Sequence, residues 1–212
     1  MPGAMAPHAA VEPDAAPTQG MRQAGWVRLT HWLNALAVPV LIASGWRIYN
    51  ASPIFDFRFP NGITLGGWLG GALLWHFAAM WLLVANGVLY LGLNLATGRL
   101  RARFFPLAPR MIVQDFTLAL HGRLKHDDAG RYNAVQKAAY LGVMVLVALE
   151  VLSGLAVWKS VQFPLLRELM GGFDNARVVH FFGMAGLSLF LAVHLAMVAL
   201  VPRTLRAMIL GR

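Results

Sequence analysis

Four long apolar runs organise this chain, at residues 27–49, 65–96, 134–158 and 176–201, separated by segments rich in arginine, proline and glycine. Each run exceeds the about 20 residues that a helix needs to cross a bilayer. The pattern predicts an all-α integral membrane protein with four spans. The second run is the longest and is expected to tilt or to extend beyond the lipid. Pro39 interrupts the first and is expected to kink it, which membrane helices tolerate. Residues 1–24 are rich in Ala and Pro without an apolar core. They read as a disordered cytoplasmic tail rather than a signal peptide, so the first span is expected to direct insertion. Residues 25–212 then form one transmembrane domain.

Histidines break the apolar pattern in a regular way. His180 and His194 lie fourteen residues apart in the fourth span. On an α-helix that spacing returns to within roughly 40° of the same face and rises about 21 Å. The two imidazoles therefore occupy one face at two depths of a hydrocarbon layer about 30 Å thick. His31 lies in the first span and His76 in the second. Ionisable groups at such depth are costly and mark function. Alternate spans run in opposite directions, so depth decides which histidines meet. His31 and His194 fall in one leaflet, and His76 and His180 in the other. Two pairs at two depths suit two haems, each held by two axial imidazoles. Such ligation leaves no open position for oxygen chemistry and points to electron transfer. His8, His121 and His126 lie in polar segments and read as solvated.

Composition narrows the chemistry. The chain is 58% hydrophobic and 13% charged, with a mean hydropathy of +0.58. Soluble domains carry about 25% charged residues. It has no cysteine, which excludes disulfides, iron–sulfur clusters and thiolate metal sites. The net charge of +9 is distributed as topology charge rather than as a nucleic-acid surface. Thirteen basic residues fall with the N-terminal segment, the segment between the second and third spans, and the C-terminal segment; five fall on the other side. The positive-inside rule places both termini in the cytoplasm, in a bacterial inner (cytoplasmic) membrane. Glu150 is the one carboxylate at span depth and is expected to pair with a polar neighbour or relay a proton. Ser44-Gly45-Trp46 in the first span and Ser153-Gly154-Leu155 in the third form a faint echo; such glycines let a flat ring or a neighbouring helix approach closely.

Several segments, taken together, carry a family resemblance: RLTHWLN around His31, WHFAAMW around His76, the spacing of His180 and His194, GRYNAVQK at 130–137, LSGLAVWK, and the closing PRTLRAMILGR. From about Val27 onward the chain resembles the four-helix, di-haem bacterial b-type cytochromes. These include the formate dehydrogenase gamma subunit, the cytochrome b subunits of nickel–iron hydrogenase and thiosulfate reductase, and cytochrome b-561. The first two spans look closest to the thiosulfate reductase branch.

The resemblance implies two haem b groups on the histidine pairs above and a quinone site near the cytoplasmic-side haem. The matching polar positions are Asn133 and Gln136, where an amide can hydrogen-bond a quinone carbonyl; Asn133 also suits a helix N-cap. Arg28, Arg131 and Lys137, and on the other side Arg47 and Arg177, are the cations available to haem propionates. The resemblance further implies a separate catalytic partner, a periplasmic molybdenum-cofactor oxidoreductase. The chain itself shows no Gly-rich dinucleotide loop and no nucleophile–base set, so it is expected to be the electron-transfer subunit, not the catalytic one.

Two other readings compete. One is a stand-alone cytochrome that oxidises a soluble reductant such as superoxide into quinone. The other is a transporter whose histidines bind a transition metal directly, although broken helices and a polar path are lacking from the pattern. Two regions stand apart from the spans. The amphipathic stretch FTLALHGRLKH at 116–126 suits a membrane surface or a partner. The aromatic segment at 51–64, with Phe55, Phe57 and Phe59, suits interfacial anchoring or docking.

Overall fold

The computed structural model describes residues 24–98, 108–120 and 134–211. All four predicted spans are single helices: α1 (Gly25–Ala51), α2 (Leu69–Ala96), α4 (Ala134–Trp158) and α6 (Phe173–Leu200). Each is long and apolar enough to cross a membrane. Two short helices lie between spans, α3 (Pro109–Leu120) and α5 (Pro164–Leu169), and a third, α7 (Pro202–Leu210), follows the last. The described residues contain no strand, so the fold is all-α. The segments holding Arg131, Asn133, His8, His121 and His126 lie outside the described residues.

Within an apolar span every polar side chain must find a partner on its own helix or the next. Thr30, Ser44, Ser153 and Ser188 do so by donating to the carbonyls of Trp26, Val40, Leu149 and Met184, one turn back. α1 remains one continuous helix through Pro39. The second span starts at Leu69, four residues later than hydropathy predicts. Leu65 and the glycines after it are apolar, yet the chain turns there. Gly66 and Gly67 have φ of 106° and 70°, a region open to glycine, and the Leu65 N–H donates to the Ala43 carbonyl of α1. Pro164 and Pro202 open α5 and α7, where a missing N–H costs nothing.

The spans pack as two hairpins, α1 on α2 and α4 on α6. Their seams are lined by small residues, with Ala37, Ala72, Ala156 and Ala176 fully buried. Without a hydrophobic drive between helices in lipid, close approach of backbones is what holds them. The large apolar side chains point the other way: Leu74, Leu95 and Leu200 are each more than 70% exposed in the isolated chain, as befits a lipid-facing surface. Between the hairpins the spans meet through side chains. Trp46 on α1 donates its indole N–H to the Met184 sulfur on α6. Phe77 on α2 lies 4.8 Å from Trp158 on α4, centroid to centroid.

The two ends of the bundle differ. At the basic end, Arg28 donates to the carbonyls of Met208 and Ile209, and Trp32 to Met208, so α7 is tied back across the start of α1. At the aromatic end, Phe55, Phe57 and Phe59 fold onto Tyr49, and Phe55 and Phe57 reach Phe181. This segment covers the α1–α6 seam beside His180. The amphipathic helix begins earlier than the sequence suggests. It spans Pro109–Leu120, and Asp115 accepts a hydrogen bond from the first N–H of α4, at Ala134.

One polar contact fastens the first hairpin from inside. Asn86 on α2 is buried and donates to the Thr30 carbonyl at 2.8 Å and to Asn34 Oδ1 at 2.7 Å. Replacing Asn86 with Leu is expected to lower stability by about 0.6–1.7 kcal/mol, the range for interhelical hydrogen bonds in membranes. Thermal unfolding of the two proteins in the same detergent measures the difference.

Candidate functional site

Four histidines from three spans converge in the space between the hairpins. His31 of α1 faces His194 of α6, with ring centroids 6.1 Å apart. His76 of α2 faces His180 of α6 at 6.4 Å. The pairs are those that depth alone predicts. α6 supplies one member of each pair, and its helical phase holds them on one face.

The spacing suits a metal between the rings. A metal–imidazole bond of about 2.0 Å and a nitrogen about 1.2 Å from its ring centre put two opposed rings about 6.4 Å apart. Among the described residues no three His, Asp or Glu side chains form a metal-binding cluster. Two opposed imidazoles are an incomplete shell for a bare ion. They fit an ion whose other positions are filled by a flat macrocycle.

The His76–His180 pair has a support that the sequence showed only as an echo. Ser44 Oγ lies 3.0 Å from His76 Nδ1, and Ser153 Oγ lies 3.0 Å from His180 Nδ1. Both serines are completely buried. Each hydroxyl gives its proton to the carbonyl one turn back, so only its lone pairs remain for the ring. Nδ1 of each histidine therefore carries the hydrogen, and Nε2 is left bare as a ligand. Outer partners of this kind fix the tautomer and orientation of a metal-bound histidine. The adjoining glycines make room. A Cβ on Gly45 would sit 3.6 Å from His76 Cε1, and one on Gly154 only 3.1 Å from His180 Cε1.

Among the described residues the other pair has no such support: His31 Nδ1 is buried without a hydrogen-bond partner. His31 stands edge-on to Trp32, and His194 stacks on Phe190. Ser44 and Ser153 escaped notice in the sequence because each serves a histidine on a different helix. The matched Ser-Gly pairs were the available signal.

The remaining candidates fall into place unevenly. Gln136 lies in the first turn of α4, exposed, while Asn133 lies just outside the described residues. Arg28 is committed to α7. Arg177 donates to the Ser52 carbonyl and hydroxyl. Arg47 donates to Asn61 Oδ1 at 2.6 Å. It lines a cavity of about 450 Å³ at the aromatic end with Arg58, Asn50 and Phe59.

The family model for prokaryotic cytochrome b561 matches residues 22–211. The chain belongs to the prokaryotic cytochrome b561 family. Its likeness to one relative is high: 61% identity over 186 residues, covering 88% of this chain and 94% of the other. That relative is a protein of Azospira oryzae provisionally named as a protein-methionine-sulfoxide reductase subunit, YedZ1. No solved structure matches. This cytochrome b561 is thus a multi-pass protein of the bacterial inner membrane, from a family of b-type haem proteins suited to electron transfer.

Removing a hydroxyl from the outer support should loosen the cofactor without deleting a ligand. Ser153→Ala and Ser44→Ala are each expected to lower haem affinity by about ten- to hundred-fold, as for other outer partners of metal-bound histidines. Haem-transfer kinetics to an apoprotein acceptor, in detergent, give the ratio.

Proposed function

We propose that this cytochrome b561 carries electrons from membrane quinol, on the cytoplasmic side, to the catalytic subunit of a protein-methionine-sulfoxide reductase in the periplasm. The observation that carries this reading is the pair of facing-histidine sites set at two depths on one helix. His31 and His194 would hold the cytoplasmic-side haem, and His76 and His180 the periplasmic-side haem. Each haem, when bound, supplies a one-electron iron couple. The protein's part is to fix four imidazoles and keep water out.

Orientation follows from charge. The end where Arg28 and Arg206 lie is the basic side, and the positive-inside rule makes it cytoplasmic. The aromatic end then faces the periplasm. Arg47 and Arg58, which line the cavity there, are the cations available to propionates of the outer haem. At the basic end, Asn133 and Gln136 offer amides to a quinone carbonyl. Asp115 of α3 holds the start of α4, the residue next in sequence to Asn133, by accepting from the Ala134 N–H.

The partner is inferred from the Azospira relative and favours a sulfoxide over thiosulfate as terminal substrate. Reduction of a methionine sulfoxide to the thioether takes two electrons and two protons and releases water. A quinol supplies both electrons; its two protons are released on the cytoplasmic side, and the two that the sulfoxide consumes are taken from the periplasm. The oxidoreductase would carry the molybdenum cofactor that the wider family resemblance implies.

Two experiments test this. His76→Ala and His194→Ala are expected to remove different haems, resolved as separate waves in a redox titration of the purified protein; loss of the same wave from both would overturn the pairing. Asn133→Leu with Gln136→Leu is expected to keep both haems. It should weaken quinol binding by roughly five- to hundred-fold, the equivalent of about 1–3 kcal/mol for a lost hydrogen bond. Stopped-flow reduction by a soluble quinol reads the change, and unchanged kinetics in the folded double variant would place the quinone elsewhere.

A further inference from the structure

The first and third spans present the same local device to the two rings of one pair, with a single chemical difference. On α1 the run is Leu41, two residues, Ser44, Gly45; on α4 it is Glu150, two residues, Ser153, Gly154. Ser44 meets His76 and Ser153 meets His180 at the same distance, 3.0 Å. At the station one turn before the serine, α1 has leucine and α4 has glutamate. Glu150 Oε2 lies 3.2 Å from His180 Nδ1, and its side chain is 11% exposed. Its other oxygen, Oε1, is buried with no hydrogen-bond partner. α6 is shaped to admit it, because a Cβ on Gly183 would overlap Oε1.

A carboxylate at this depth is costly, and here half of its hydrogen-bonding capacity goes unused. Packing alone does not explain it, since leucine fills the matching place on α1. We propose that Glu150 is a positioning residue that sets the redox potential of the periplasmic-side site through His180. Ser153 Oγ takes the Nδ1–H, and the Glu150 carboxyl oxygen 3.2 Å from the same nitrogen adds negative potential at the ring, which raises the basicity of the imidazole at Nε2. His180 then becomes the stronger donor of the two axial ligands. A stronger donor favours the oxidised iron, as does the negative charge that Glu150 carries when ionised, so the potential of this site is held lower than its geometry alone would set it. Among the described residues the His31–His194 site has no such neighbour, and His31 Nδ1 has no hydrogen-bond partner. The two sites are chemically unlike by construction.

The inference rests on the assignment of His76 and His180 to one haem, and its test separates the two. Full-length protein with haem bound is titrated potentiometrically in detergent, as wild type, Glu150→Gln and Gly183→Ala. Each is repeated with His194→Ala, which leaves only the periplasmic-side wave. Glu150→Gln is expected to move that wave to higher potential and leave the other where it was. Gly183→Ala adds a methyl where Oε1 sits, displaces the carboxylate and moves the same wave in the same direction. Unchanged potentials in a haem-replete Glu150→Gln protein overturn the inference, as does a shift confined to the other wave. If Glu150→Gln fails to keep haem, an unmoved wave in Gly183→Ala overturns it instead. Loss of both waves in His194→Ala alone counts against the haem assignment, not against Glu150.

Discussion

An imidazole placed in hydrocarbon has two ring nitrogens to satisfy and no water to do it. That constraint shapes the interior of this protein. At His76 and His180 a serine from the neighbouring span takes Nδ1, which directs Nε2 into the space between the hairpins. The serine can only reach because its own helix absorbs its proton one turn back. The ring can only approach because glycine follows the serine. Helix identity, side-chain choice and ligand geometry are therefore one problem. A histidine without its serine and glycine would have an unpaired polar atom at one edge and a clash at the other.

α6 is the common member of both sites, and the rest of the bundle is arranged around it. α1 and α2 each bring one histidine to it, and α4 brings none. What α4 brings is support: Ser153, Gly154 and Glu150, all directed at His180. The two hairpins thus divide the work unequally. The first carries two of the histidines and one support. The second carries two histidines on one helix and a richer support on the other.

Much of this was legible in the sequence. Hydropathy located all four spans, and the third, 134–158, agrees to the residue with α4. The fixed rise of a helix was enough to pair His31 with His194 and His76 with His180. What hydropathy missed was local conformation. Residues 65–68 are apolar but turn, because two glycines there adopt positive φ and a backbone bond anchors Leu65 to α1. The amphipathic stretch expected from residue 116 is helical as far as it is described, to Leu120, but its helix starts earlier, at Pro109. Contacts between helices were the least visible. Nothing near Asn86 in sequence announces Thr30 and Asn34, and nothing near Ala134 announces Asp115. Glu150 was noticeable as a lone carboxylate, but its partner His180 became evident only when α4 and α6 were seen side by side.

The depth of the two histidine sites has an electrical consequence. His180 and His194 are separated by about 21 Å along the axis of α6, against a hydrocarbon layer of about 30 Å. An electron passing from one site to the other traverses most of the insulating thickness and so feels most of the membrane voltage. A full crossing is worth about 2.3 kcal/mol per 100 mV. With the basic end in the cytoplasm, which is the negative side of an energised membrane, an outward-moving electron runs down that field. With that orientation the membrane voltage favours outward passage between the two sites, and the rate of delivery would be coupled to how strongly the membrane is energised.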